Sequence, residues 1–288
     1  MVTTTKSQIT YVVFAHPDDE YASWALIHKS TANYPVFCML TRGEQSGHCP
    51  APNYQAGEKQ HPSLLPAPKG TTECATARIN SFRDFHGAMA SIDSTLEDPV
   101  LNPQRQGPRT GVSGFGTISD RNYLLYAGSK CAFLFFNLGD GSLTTDEVNW
   151  AIASARAARS AGDLPNKPEY AVIAASYYWE GTANSNGSRL YPHVDHKTVN
   201  QAIYNKINGY WSGGRRWGAT AFNDSRASRT DSITASHHEY AFVRSPSASS
   251  IGAFQKYYGW LEGYWEFGRW IKESPNRVYQ QKHWQKLD

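Results

Sequence analysis

The chain has 288 residues with 28 Lys and Arg against 25 Asp and Glu, a formal charge of only +3, too weak a bias to argue for a nucleic-acid partner. Hydrophobic residues make up 40%, aromatic residues 13% and charged residues 18%, which excludes an intrinsically disordered chain and allows a sizeable core. No apolar run approaches the roughly 18 residues that span a bilayer, so a membrane-spanning protein is excluded and a single α/β domain over residues 1–288 is expected.

The first residues lack the apolar core of a secretory signal, so a cytoplasmic location is expected. Residues 9–15 (ITYVVFA) form a continuous β-branched apolar run followed at once by Pro17, Asp18, Asp19 and Glu20, which predicts a buried strand, a turn and a helix. Residues 34–40 (YPVFCML) predict a second buried strand ending in Thr41-Arg42-Gly43-Glu44. Residues 45–72 are rich in Pro, Gly, Ser and His without periodicity and read as a long surface insertion. Helical spacing follows over 73–90, a strand over 130–138, an Ala-rich helix over 144–161, a strand over 170–177 and a helix over 196–208. A late strand is expected at 239–244, and residues 257–270 carry seven aromatic side chains, read first as a helix face and second as a sugar-stacking or peripheral membrane surface. The alternation predicts a Rossmann-like parallel sheet flanked by helices, with long loop insertions and its site at the carboxyl ends of the strands.

Cys38, Cys49, Cys74 and Cys131 contain no C-x-x-C pair, which argues against a zinc ribbon or a dense disulfide framework. Cys38 and Cys131 sit in apolar runs and read as core, while a Cys49–Cys74 bridge across the loop is the less favoured option. His48, His61, His86, His237 and His238 lack ligand spacing and read as surface or loop residues. No Walker loop, dinucleotide fingerprint, Gly-x-Ser-x-Gly elbow or EF-hand pattern occurs, so neither a nucleotide nor calcium is expected.

The chemistry concentrates in two short segments. His16-Pro17-Asp18-Asp19-Glu20 crowds an imidazole and carboxylates at the end of the first strand. With Pro17 as the first helical residue, Asp19 falls on the first turn and faces the same point as His16, while Asp18 between them suits a carboxylate base acting on water activated by a metal. Tyr191-Pro192-His193-Val194-Asp195-His196 follows the fourth strand, with Asp195 expected as helix N-cap. Catalytic zinc takes three protein ligands, which His16, Asp19 and His196 would supply, leaving His193 beside them.

Ala15-His16-Pro17-Asp18-Asp19-Glu20 and the later His-x-Asp-His resemble the LmbE/PIG-L family of zinc-dependent N-deacetylases, with similarity extending over about residues 9–208 through Thr41–Glu44, Arg78 and Gly139-Asp140-Gly141. Residues 209–288 match nothing placed by that resemblance. The resemblance implies Zn2+ as cofactor, Asp18 as base, a protonated His193 for the oxyanion with Asp195 orienting it, and sugar contacts from Arg78 and Asp140. It also implies removal of an acyl group from an N-acylglucosamine unit, while the 45–72 loop and the aromatic stretch 257–270 suggest a larger glycoconjugate such as a glycosylated natural product as the substrate. An amidase for a thiol conjugate and a non-catalytic carbohydrate-binding protein are the alternatives, the second disfavoured because a binding protein has no use for the base.

Overall fold

The computed structural model describes residues 2–45, 68–97, 105–106, 123–175, 193–203, 215–220, 229–232 and 280–286. Its first two strands, β1 (Gln8–Phe14) and β2 (Asn33–Met39), pair in parallel from Gln8 opposite Asn33 to Phe14 opposite Met39. Between them run a 3-10 turn (Asp19–Ser23) and helix α1 (Trp24–Lys29). Then come α2 (Thr72–Ile92), β3 (Arg105–Gln106), β4 (Tyr123–Ala127), β5 (Ala132–Phe136), α3 (Thr145–Ser160) and β6 (Glu169–Ala175). The chain continues through α4 (Val194–Ile203), β7 (Arg215–Thr220), β8 (Arg229–Ser232) and β9 (Gln280–Lys286).

The strands form one sheet in the order β3-β4-β5-β2-β1-β6-β7-β9-β8. β5, β2, β1, β6 and β7 run parallel as neighbours, a Rossmann-like α/β arrangement. From β1 the chain builds outward to β2 and β5, then returns to the other side of β1 to add β6 and β7. The order therefore reverses between β1 and β6, the topological switch point at which sites of such sheets form.

Both edges depart from the parallel expectation: β4 joins β5 antiparallel, and β9 joins β7 and β8 antiparallel. Beside β5 the reason is chain length. Only residues 128–131 link β4 to β5, closed by the Gly128 N–H donating to the Cys131 carbonyl at 2.9 Å, whereas a parallel crossover needs about a dozen residues.

Helices cover both faces of the central strands, which is why β1 and β2 read as unbroken apolar runs. Alternate residues enter two cores. Val12, Phe14, Phe37 and Met39 pack with Trp24, Phe82, Phe85 and Met89, while Tyr11, Val13, Val36 and Cys38 pack with Trp150, Ile152, Val199 and Ile203. Thr71 caps α2 by accepting the Cys74 N–H, and Thr144 with Glu147 forms a reciprocal capping box on α3.

Against the expectation of a surface histidine, His86 is 2% exposed and lies in the aromatic core. Four residues after Phe82 and three before Met89, it shares their buried face of α2, with the Phe82 and Phe37 rings 4.3 and 4.5 Å away between centroids. Cys38 and Cys131 are buried free thiols. Cys74 is disulfide-bonded, and Cys49 lies outside the described residues. Most of the 45–72 insertion, the strand expected at 239–244, the aromatic stretch 257–270 and His48, His61, His237 and His238 also lie outside the described residues. No helix among the described residues is long and apolar enough to cross a membrane.

Asp93, 2% exposed at the end of α2, ties that helix to α1: its carboxylate lies 2.7 Å from His28 Nδ1 and accepts the Thr95 N–H at 2.9 Å. Burial pushes the carboxyl up, but the His28 and Thr95 hydrogen bonds outweigh it and hold it at about 2, below the ordinary 3.8. A depressed folded-state value stabilises the fold above the unfolded pKa, and that contribution is lost as pH falls from about 4 towards 2. Acid unfolding followed by circular dichroism should lose about 2 kcal/mol across this window through Asp93, so Asp93→Asn should flatten the slope there. An identical slope in the variant would contradict the clamp.

Candidate metal centre

The segments leaving β1 and β5 meet the start of α4 at the carboxyl edge of the sheet, and His16 stands at their junction. His16 is 6% exposed; its Nδ1 lies 3.2 Å from Asp19 Oδ2 and 3.2 Å from His196 Nε2. His196 Nε2 is in turn 3.2 Å from Asp19 Oδ1, so three donor groups stand equally spaced in pairs. On the other side of the ring, His16 Nε2 lies 3.1 Å from both Asp140 Oδ1 and Asp195 Oδ2.

Backbone amides fix the carboxylates. Gly141 and Leu143 N–H groups donate to Asp195 at 2.7 and 3.0 Å, the Gln45 N–H donates to Asp140 at 2.6 Å, and His16's own N–H donates to Asp19 at 2.9 Å. Among the described residues two largely buried sets could hold a metal ion: His16, His193 and His196, or His16, Asp140, His193 and Asp195. His193 sits beside them, half-buried, its ring 4.6 Å from that of His16.

Charge follows from this crowding. Burial works against a charged His16, but hydrogen bonds to Asp140, Asp19 and Asp195 overcome it and raise its pKa well above the ordinary value. Burial also opposes ionisation of Asp19, yet His196 and His16 hold it well below the carboxylate range. Asp18 goes the other way: burial raises it well above the usual value, against the pull of Arg78 and with Asp19 adding to the rise. A carboxyl group that retains a proton affinity beside a cluster of metal-type donors is suited to proton transfer. Burial and the neighbouring His16 and His196 lower His193, so it favours the neutral ring rather than the imidazolium that the family resemblance implies.

Asp18 has φ 108°, the only positive φ at a non-glycine among the described residues, a conformation costing about 1–3 kcal/mol unless the surroundings impose it. Arg78 is one source of that constraint. Its Nη1 donates to the Gly43 carbonyl at 2.6 Å and its Nη2 to the Pro17 carbonyl at 2.9 Å, while Nη2 stands 3.4 Å from Asp18 Oδ2. Gly43 is required twice, by its φ of +68° and because a Cβ there would run into the Arg78 guanidinium.

The sequence segments thus converge, but several roles shift. The Asp195 carboxylate serves His16 and two amides rather than orienting His193, and its contact with His193 runs through its backbone N–H, 3.3 Å from Nδ1. Nor is Asp195 the N-cap: α4 begins at Val194, with the His193 carbonyl accepting the Lys197 N–H, because Asp195 is drawn inward by the amides that follow β5. Arg78 and Asp140, expected at a sugar, are buried against the strand-end backbone and against His16. Glu20, which the sequence left without a role, is fully buried and accepts the Asp18 N–H on Oε2 at 2.9 Å. Comparison with known protein families and with curated proteins finds no match to this chain.

Two glycines separate backbone strain from packing. Gly141 (φ +81°) has open space around an added Cβ, so Gly141→Ala should cost about 1–2 kcal/mol from the left-handed backbone alone. Gly43→Ala should cost about 1–3 kcal/mol more, from displacement of Arg78. Urea denaturation measures both; equal losses would remove Arg78 from the account of Gly43.

Proposed function

We propose that this chain is a zinc-dependent N-deacetylase that removes an acyl group from an N-acylglucosamine unit on a larger glycoconjugate, with His16, Asp19 and His196 as the metal ligands. The carrying observation is the 3.2 Å spacing between each pair of these three groups. Tetrahedral zinc bonds of about 2.0–2.2 Å set donor atoms about 3.3–3.6 Å apart, close to that spacing. Asp140 and Asp195 on His16 Nε2 complete the case, since carboxylates that accept the distal imidazole N–H direct the other nitrogen's lone pair at the ion. The same two carboxylates already accept backbone amides, which suits them to orienting His16 more than to binding metal themselves.

Zinc held there would supply a Lewis acid towards the acyl carbonyl and the attacking water. Asp18, next to the ligands but outside their set, takes a proton from water as its oxygen bonds to the acyl carbon. It returns that proton to the nitrogen as the carbon–nitrogen bond breaks, releasing a carboxylic acid and the free amine. His193 accepts the Asp195 N–H at Nδ1, which leaves its proton on Nε2 as a donor for the oxygen that gains charge. Arg78 holds Asp18 through the Pro17 carbonyl and the Asp18 side chain.

The amide and amino-sugar parts of the proposal draw on the resemblance of the His16–Glu20 and His193–His196 segments to LmbE/PIG-L deacetylases. Incubation of zinc-loaded protein with acetylated amino-sugar conjugates of graded size should release acetate. Asp18→Asn should keep its zinc and lose activity by at least about a hundredfold, the usual scale for a general base. The His16→Ala/His196→Ala double variant should lose the metal itself. Full zinc content in the double variant, or equal loss of zinc and activity in Asp18→Asn, would overturn these assignments.

A further inference from the structure

Behind Asp18 lies a second pair of ionisable side chains to which neither the sequence segments nor the proposed reaction assigns a task. Glu20 is fully buried; its Oε2 accepts the Asp18 N–H at 2.9 Å and its Oε1 faces His86 Nε2 at 3.8 Å. His86 is 2% exposed and enclosed by Phe37, Phe82, Phe85, Phe133 and Trp24, with ring centroids 4.3 to 5.8 Å away. Its Nε2 makes no hydrogen bond among the described residues. Burying a carboxylate and an imidazole among aromatic rings is costly, and apolar side chains of similar volume would fill this space without that cost. Packing alone therefore does not account for the pair.

Of the two, Glu20 bonds to the strained residue and His86 stands behind Glu20. A left-handed Asp18 persists only where its surroundings hold the backbone in place. Arg78 holds the preceding peptide through the Pro17 carbonyl, and Glu20 holds the N–H of the same peptide unit. We propose that Glu20 and His86 are positioning residues for Asp18: the Glu20 carboxylate locks the Asp18 backbone, and His86 aims that carboxylate from the core. The catalytic consequence rests on Asp18 acting as the base of the deacetylase reading, whereas the backbone lock does not.

Amide hydrogen exchange at Asp18, followed by NMR, is measured with steady-state kinetics on zinc-loaded wild type, Glu20→Ala, Glu20→Gln and His86→Phe. In Glu20→Ala the Asp18 amide should exchange about tenfold faster or more, and kcat should fall about tenfold or more, with KM and zinc content changed less than about twofold. Glu20→Gln retains an oxygen that can accept the Asp18 N–H and should restore both readouts to within about threefold of wild type. His86→Phe keeps the pocket filled, should shift both readouts in the direction of Glu20→Ala, and carries the test if that variant does not fold. Unchanged Asp18 exchange in Glu20→Ala, or a Glu20→Gln protein as impaired as Glu20→Ala, overturns the proposal, and a His86→Phe protein equal to wild type in both readouts removes His86 from it. If wild type releases no acetate from any conjugate, the deacetylase reading fails, and the exchange data alone decide the positioning pair.

Discussion

Three carboxylates cannot be buried around one point unless positive charge stands among them. Here the point is His16, with Asp19 at 3.2 Å on one ring nitrogen and Asp140 and Asp195 at 3.1 Å on the other. These carboxylates come from the turn after β1, the loop after β5 and the first turn of α4, so the demand for a cation is also what ties three strand-end segments together. A proton on His16 meets that demand in the metal-free protein. In the proposed metal-bound protein a divalent ion at Nδ1 would meet it too, since Asp19 and His196 face the same place.

The topology explains why the cluster forms at this position. β1 lies between β2 and β6 in the sheet, and beside this reversal of strand order the segment after β1 meets the start of α4. Around this junction the backbone is held from its buried side: Arg78 on the carbonyls of Pro17 and Gly43, Thr41 Oγ1 donating to the Ala15 carbonyl at 3.0 Å, and Glu20 on the Asp18 N–H. Such fixed dipoles and carboxylates need no rearrangement when charge develops during a reaction.

The central architecture was legible because strands covered on both faces leave long apolar runs, and because Pro, Gly and acidic residues punctuate their ends. The site's two segments were legible for the same reason: His16 and Asp19 fall just beyond β1, and His193 and His196 at the start of α4. The antiparallel edges were not, since β4 and β8 are short and β9 (QQKHWQK) carries no apolar run. Which carboxylate meets which imidazole was also illegible, because Asp195 and Asp140 reach His16 across a fold whose register no local pattern records. His86 was a missed signal of another kind, as its spacing from Phe82 and Met89 already placed it on the apolar face of α2.

The central claim is that a metal ion binds on the Nδ1 side of His16. A crystal of zinc-soaked protein, with anomalous data collected on both sides of the zinc edge, tests it most directly. The account predicts one peak about 2.0–2.2 Å from His16 Nδ1, His196 Nε2 and an Asp19 oxygen, with Asp140 and Asp195 still on Nε2. A peak on the opposite side, ligated by Asp140 and Asp195, or no peak in the cluster at all, would contradict it.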